Sequence, residues 1–552
     1  MKFKNQLIVR HTLLIAFLLV FSISEAQLLQ DKTKFTKLDT LRGSITPERE
    51  WWDLNYYNLN IKVQPDKKFI AGYNIIRYKV LKSHNVIQID LQAPMEIVAI
   101  SQDNEDLNYN KIGPAYFVFL KKDQIPGEYN ELYVQYSGKP REAVRAPWDG
   151  GFSWKKDNNG KYFVATSCQG LGASVWWPNK DHMYDEVDSM RIAIDVPKDL
   201  IAVANGRLRD TYEYEVGGYK MYEWFVSNPI NNYGVNVNIG DYVNFSEVYQ
   251  GEKGDLDMDY WVLKDNLEKA KTHFKDAPKM MKAFEYWFGP YPFYEDSFKL
   301  VEVPYLGMEH QSSVTYGNKY LKGYLGKDLS DTGEGLKFDF IIVHEAGHEW
   351  FANNITNKDV ADMWIHEGFT AYSENLFLDY YYGKKSSADY VIGTRRLIQN
   401  DRPLIGPYNV NKEGSSDMYY KGANLLHTLR QLIEDDDLWR DILRGLNSEF
   451  YHQTVTTKQI EDYISKRTKK DLSAFFNQYL RDTRIPTLEY KIEKRELKFR
   501  YIDIVKGFDM PIEVDMNGKT QWIFPSAKWQ SKPINGTDFK VDRDYYIYTK
   551  QL

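Results

Sequence analysis

Between residues 45 and 250 apolar and polar positions alternate, or form short β-branched and aromatic runs. The segments "YNLNIKVQ", "GYNIIRYKV", "VIQIDL", "ELYVQYSG" and "MRIAIDV" carry this pattern, which places one face of a strand on a core. Turn formers such as "PDKK", "DNNG" and "VGG" separate them. A large N-terminal β-domain over 45–250 is expected. Near residue 260 the period changes. "LKDNLEKAKTHFKDAPKMMKAFEYWFG" spaces its apolar residues three and four apart and ends at Gly289 before a proline. Helical patterns then dominate a second domain, 251–484: "FDFIIVHEAGHEWFANNI", "WIHEGFTAYSENLFLDYYYG", "GANLLHTLRQLIEDD", "LWRDILRGLNSEF" and "LSAFFNQYLRD". After "TRIP" the chain turns strand-like again in "TLEYKIEKRELKFRYIDIV", "PIEVDM" and "DRDYYIYTK", which predicts a small β-domain over 485–552. The fold class is multidomain α+β. No internal repeat or low-complexity tract stands out.

Composition narrows the class. At 552 residues the chain is too long for one compact core. It is 43% hydrophobic and 27% charged, the balance of a soluble globular protein. Its 42 tyrosines and 14 tryptophans suit broad sheets and substrate clefts. A net charge of −6 leaves no basic excess, so no nucleic-acid partner is expected. Cys168 is the only cysteine. It cannot form an intramolecular disulfide, and it reads as a buried, inert thiol rather than a nucleophile.

The first residues, "MKFKNQLIVRH", carry Lys2, Lys4 and Arg10. A short apolar run, "TLLIAFLLVFSI", and then "SEA" follow. This is the three-part pattern of a secretory signal peptide over 1–26, cleaved after Ala26. The apolar run is shorter than the roughly 20 residues a membrane span needs. Export to the periplasm or the outside is therefore expected, with no membrane span in the mature chain. No cysteine follows the cleavage point, so no lipid attachment is expected there. The sequence carries no mark of oligomeric state.

"HEAGH", 344–348, places two histidines four apart with a glutamate after the first. On a helix that spacing puts His344 and His348 on one face. Both imidazoles can then meet one ion, with Glu345 beside it, able to reach a metal-bound water. Chance spacing is the alternative, and a third ligand is needed to separate the two. "WIHEGFTAYSENLF" offers Glu367, 19 positions after His348, and Glu374 falls seven later on the same helical face.

"HEAGHEW" followed by "HEGFTAYSE" resembles the gluzincin metallopeptidases of the zinc aminopeptidase family that includes aminopeptidase N and leukotriene hydrolase. That family pairs H-E-x-x-H with a glutamate after an 18-residue gap, as here. The resemblance implies one Zn2+ per chain held by His344, His348 and Glu367, with Glu345 as general base. It gives Glu374 the role of orienting a ligand histidine; an exposed helix carboxylate is the ordinary alternative. "VEVPYLGMEHQSSV" resembles the G-x-M-E-N element. It puts Glu309 where the family binds the substrate's free α-amino group, with Gly307 and Met308 beside it. "MYYKGANLLHTL" resembles the Y-x-K-G element and makes Tyr419 the catalytic tyrosine. "TSCQGLGASVWWPN" resembles the segment near the substrate amine and gives Gln169 that place; a buried polar side chain is the alternative. "WFGPYPF", "WFANNITN" and "FFNQYLRDTRIPTLEY" extend the likeness over about 50–500. The family fold implied is a saddle-like N-terminal sheet, a thermolysin-like catalytic domain and a small β-sandwich-like domain.

There are departures. Leu306 stands at the family's first glycine of G-x-M-E-N, His310 at its asparagine and His366 at the asparagine before the third ligand. Val360 sits near a position where the family often has tryptophan. The chain ends after the third domain, without the large helical fourth domain of many relatives, so a more open cleft is expected on that side. The activity implied is removal of N-terminal amino acids from peptides with a free N-terminus. The alternatives are an epoxide hydrolase, an endopeptidase, or an inactive member acting as a binding protein.

Overall fold

The computed structural model describes residues 34–552; the expected signal peptide lies outside the described residues. The first unit is built on an eight-stranded sheet. Its strand Trp52–Gln64 pairs antiparallel with Phe69–Val80 and parallel with Ser189–Pro197. A register shift between Leu54 and Tyr56 lets Leu54 and then Tyr57, Leu59, Ile61 and Val63 all face the core. Smaller sheets lie beside it, and this unit has its own hydrophobic core.

A five-stranded sheet opens the second unit, in the spatial order Tyr242–Gly251, Gly254–Leu263, Phe298–Glu302, Val314–Tyr316, Gly307–Met308. The hairpin of the first two strands bonds in parallel to Phe298–Glu302. Residue 250 lies within this hairpin, and its ends Tyr242 and Leu263 also pack into the core of the first unit.

Four helices position the site: α1 (Asp276–Phe288), α2 (Phe340–Gly347), α3 (Trp364–Tyr382) and α4 (Tyr420–Ile433). Asp339 caps α2 by accepting from the Ile342 N–H at 3.1 Å. Every residue of α2 is buried, and so is α3 from Trp364 to Leu378. Neither is amphipathic, as expected of helices enclosed on all sides. The helical pattern expected to run on through "HEWFANNI" breaks instead. After His348 the turn widens, and Phe351 (φ −126°, ψ 82°) and Ala352 (φ 153°, ψ −52°) leave helical geometry. His348 Nδ1 lies 3.1 Å from the Phe351 carbonyl, a tertiary bond that an apolar periodicity does not announce.

The third unit has two small sheets, of four and three strands. Its apolar residues belong to the same core as the catalytic helices: Tyr479, for example, donates to the Tyr546 carbonyl at 2.7 Å. Among the described residues no helix is long and apolar enough to cross a membrane.

Candidate active site

α2 and α3 lie side by side and bring three donor atoms together. His344 Nε2 is 3.8 Å from Glu367 Oε2, and His348 Nε2 is 3.4 Å from the same oxygen. All three side chains are buried. Each imidazole is fixed from behind. His344 Nδ1 lies 2.7 Å from Glu374 Oε1, and His348 Nδ1 lies 3.1 Å from both the Phe351 carbonyl and Thr370 Oγ1. Both Nε2 atoms therefore face Glu367. Glu374 is not an exposed carboxylate: it is 1% exposed, and its second oxygen accepts from the Tyr390 hydroxyl at 2.5 Å. Glu367 Oε2 is buried with no hydrogen-bond donor. An anionic oxygen left so is costly, and two imidazole nitrogens and one carboxylate oxygen converging there form the ligand set of a catalytic zinc site.

The electrostatics agree. Burial alone would lower the basicity of His344, yet the carboxylates of Glu367 and Glu374 raise it well above the usual range; His348 is raised against burial by Glu367. Burial works to raise the Glu367 pKa, but His348 and His344 hold it far below the ordinary carboxylate range. Three more carboxylates, Glu309, Glu345 and Glu374, stand around the trio. Glu345 differs: burial pushes it up to about 7, against the pull of His344. A carboxyl so poised exchanges a proton near neutral pH.

Glu309 ends the short edge strand Gly307–Met308 and is 4% exposed. Burial raises its pKa, opposed by His348. Gln169 joins it to the trio. Its Nε2 donates to Glu309 Oε1 at 2.5 Å and to Glu367 Oε1 at 3.0 Å. Gly307 is where the strand meets α2; a Cβ there would lie 2.6 Å from Ile341 Cγ2 and 3.4 Å from Glu345 Cγ. The Met308 side chain packs into the core of the first unit.

Tyr419, just before α4, lays its ring over His344, centroids 5.9 Å apart. Burial first, then the charges of Glu367 and Glu309, keep its phenol protonated and able to donate. The approach depends on two glycines. A Cβ on Gly422 would meet Gly368 Cα at 2.7 Å, and one on Gly368 would meet Gly422 Cα at 3.3 Å. The helices α3 and α4 cross there.

The departures are absorbed locally. His310 is fully buried, bonded to Thr315 Oγ1 at 3.2 Å and kept neutral by burial, its pKa lowered to about 3. His366 Nε2 accepts the Asn357 N–H at 2.7 Å and is likewise lowered to about 3 by burial. Leu306 lines the cleft. Cys168 is buried, with its thiol held protonated by burial. Several supporting residues carried no signal in the sequence: Tyr390 behind Glu374, Thr370 behind His348, and Asn353, whose side chain holds the Glu309 carbonyl at 2.9 Å. Tyr233 is a fourth, buried against Glu309.

Comparison with known families agrees with this geometry. The peptidase family M1 domain matches residues 272–479, and the peptidase M1 N-terminal domain matches 54–233. The chain belongs to peptidase family M1. Among its M1 relatives, leukotriene A-4 hydrolase of Xenopus laevis is 24% identical over 348 residues, which are 58% of this chain and 53% of that protein. Probable aminopeptidase 2 of Sulfurisphaera tokodaii is 20% identical over 505 residues, 86% of this chain and 61% of that one. The chain thus spans between 53% and 61% of the length of these curated relatives. An M1 zinc metallopeptidase mutant from Deinococcus radiodurans, solved with a Tyr-Ser-Ala substrate, shares the fold at TM-score 0.65 and 19% identity, covering 79% of this chain and 95% of that one.

Proposed function

We propose that this M1 chain is a zinc metallo-aminopeptidase, holding one zinc ion through His344, His348 and Glu367 and removing N-terminal residues from peptides with a free amine. The zinc, when bound, supplies Lewis acidity toward a carbonyl and acidifies a water. The chain's own residues do the rest. Glu345 takes the proton of the attacking water and returns it to the leaving amine. Tyr419 donates a hydrogen bond to the carbonyl oxygen as it gains charge. Glu309 pairs with the substrate's ammonium, and an internal peptide bond brings no such partner to that buried carboxylate.

The observation that carries this reading is the Gln169 bridge from Glu309 to Glu367. One amide spans from the amine-binding carboxylate to a metal ligand. The signal-peptide pattern adds export, to the periplasm or beyond, as the setting.

The test is hydrolysis of aminoacyl-aminomethylcoumarins by protein lacking residues 1–26, with an N-acetylated control, before and after phenanthroline. Free-amine substrates are expected to turn over and the acetylated one not, with chelation stopping the reaction. Equal turnover of the acetylated substrate favours an endopeptidase, and none at all with zinc bound favours a binding protein.

A further inference from the structure

Beside the metal trio lies a cavity of about 300 Å³ that reaches His344 and Glu345 but neither Glu309 nor Gln169. That asymmetry gives it a direction. In the aminopeptidase reading, on which this inference rests, the free amine sits at Glu309 and Gln169, and the bond to be cut faces Glu345. The residue beyond that bond then extends away from Glu309, past Glu345 and into this cavity.

Aromatic rings form a band along one part of the wall. Tyr324 and Phe340 meet edge to face with centroids 5.3 Å apart, Phe340 stacks on His344 at 5.0 Å, and Tyr419 continues the band. No lysine or arginine among the described residues lines it. Its one carboxylate besides Glu345 is Asp417, 3% exposed, whose two oxygens accept from the backbone N–H groups of Gln399 and Asn400 at 2.9 and 2.5 Å. An anionic side chain would meet the carboxylates of Glu345 and Asp417 there.

Trp148 stands at the rim. It is 62% exposed, held on a turn that Asp149 organises by accepting from the N–H groups of Val144 and Arg145 at 2.6 and 2.8 Å. A large indole left in water over an apolar cavity has surface to bury when a ligand arrives. Leu306 adds a second apolar side chain to the same wall.

We propose that Trp148, together with Leu306, makes this cavity a selective site for a large apolar or aromatic second residue of the substrate. The test compares four dipeptide amides sharing their first residue: Leu-Phe, Leu-Gly, Leu-Asp and Leu-Lys. Burying much of a phenylalanine ring should raise kcat/KM for Leu-Phe over Leu-Gly by about tenfold or more, with Leu-Asp the poorest. Trp148→Ala should cut the Phe-to-Gly ratio by about fivefold, and Trp148→Phe should restore most of it. Equal rates on the four substrates, or an unchanged ratio in Trp148→Ala, overturn the inference while leaving the aminopeptidase reading intact. No hydrolysis of any of the four, with N-acetylated peptides cleaved, overturns both.

Discussion

Glu374 Oε1 lies 2.7 Å from Nδ1 of His344, and the opposite nitrogen of that ring faces Glu367. The carboxylate fixes the tautomer and the tilt of the imidazole, and Tyr390 fixes the carboxylate. Glu374→Ala should therefore weaken zinc binding by about 10–100-fold while the fold persists. Competition against a chelator of known affinity measures this, and an unchanged zinc affinity would reduce Glu374 to a packing role.

Glu345 contributes no atom to the His344, His348 and Glu367 trio. Removing its basicity should leave metal content intact and stop the chemistry. Glu345→Gln is expected to bind zinc at wild-type stoichiometry and to lose at least about 100-fold in kcat. Atomic absorption alongside turnover reads both, and near-normal turnover in this variant would sink the mechanism.

Glu309 and Gln169 should separate in kinetics. Glu309→Ala removes the charge that reads the amine, so KM for free-amine substrates should rise by about tenfold or more. Gln169→Ala leaves the charge but frees both carboxylates from a common donor, and a smaller rise is expected. An unchanged KM in Glu309→Ala would take the anchoring role away from it.

Glu186, in the first unit, accepts from the Thr356 hydroxyl of the second at 2.5 Å. Burial pushes its pKa up to about 7, against hydrogen bonds from Thr356 and Asn231. The unfolded value is about 4.3. The folded state thus holds the proton more tightly, and the stabilisation from this group is complete below about pH 4 and lost as pH rises through 7. Glu186→Gln keeps the acceptor without the titration. Its melting temperature relative to wild type should rise from pH 5 to pH 8, by an increment on the order of 1–3 °C. The same difference at both pH values would mean that Glu186 does not titrate in this range.

His344 and His348 were legible because helical spacing fixes their shared face before any tertiary contact forms, while the place of Glu374 behind His344 came only with the family resemblance. Glu367 needed only a second helix. Gln169 and Glu309 are 140 positions apart, and no local period connects them; only the likeness of their motifs to a family pointed to the pair. Asn353, Thr370 and Tyr390 are single residues whose use depends on which element packs behind the site. The break after His348 escaped for the same reason, since "HEWFANN" is apolar enough to continue a helix and a bond from His348 to the Phe351 carbonyl decides otherwise. The strands of the first unit read clearly because one face of each is buried; the hairpin of Tyr242–Gly251 and Gly254–Leu263 was not singled out.

The contact between Gly368 and Gly422 makes a single joint of two stretches that look independent on paper. "HEG" and "KGA" meet backbone to backbone, and the gap between α3 and α4 there is what sets Tyr419 over His344. A methyl group on either helix would act as a shim, moving the tyrosine without touching it. Any natural or engineered variation in one stretch is thus constrained by the other, and the chain inherits the two as one part.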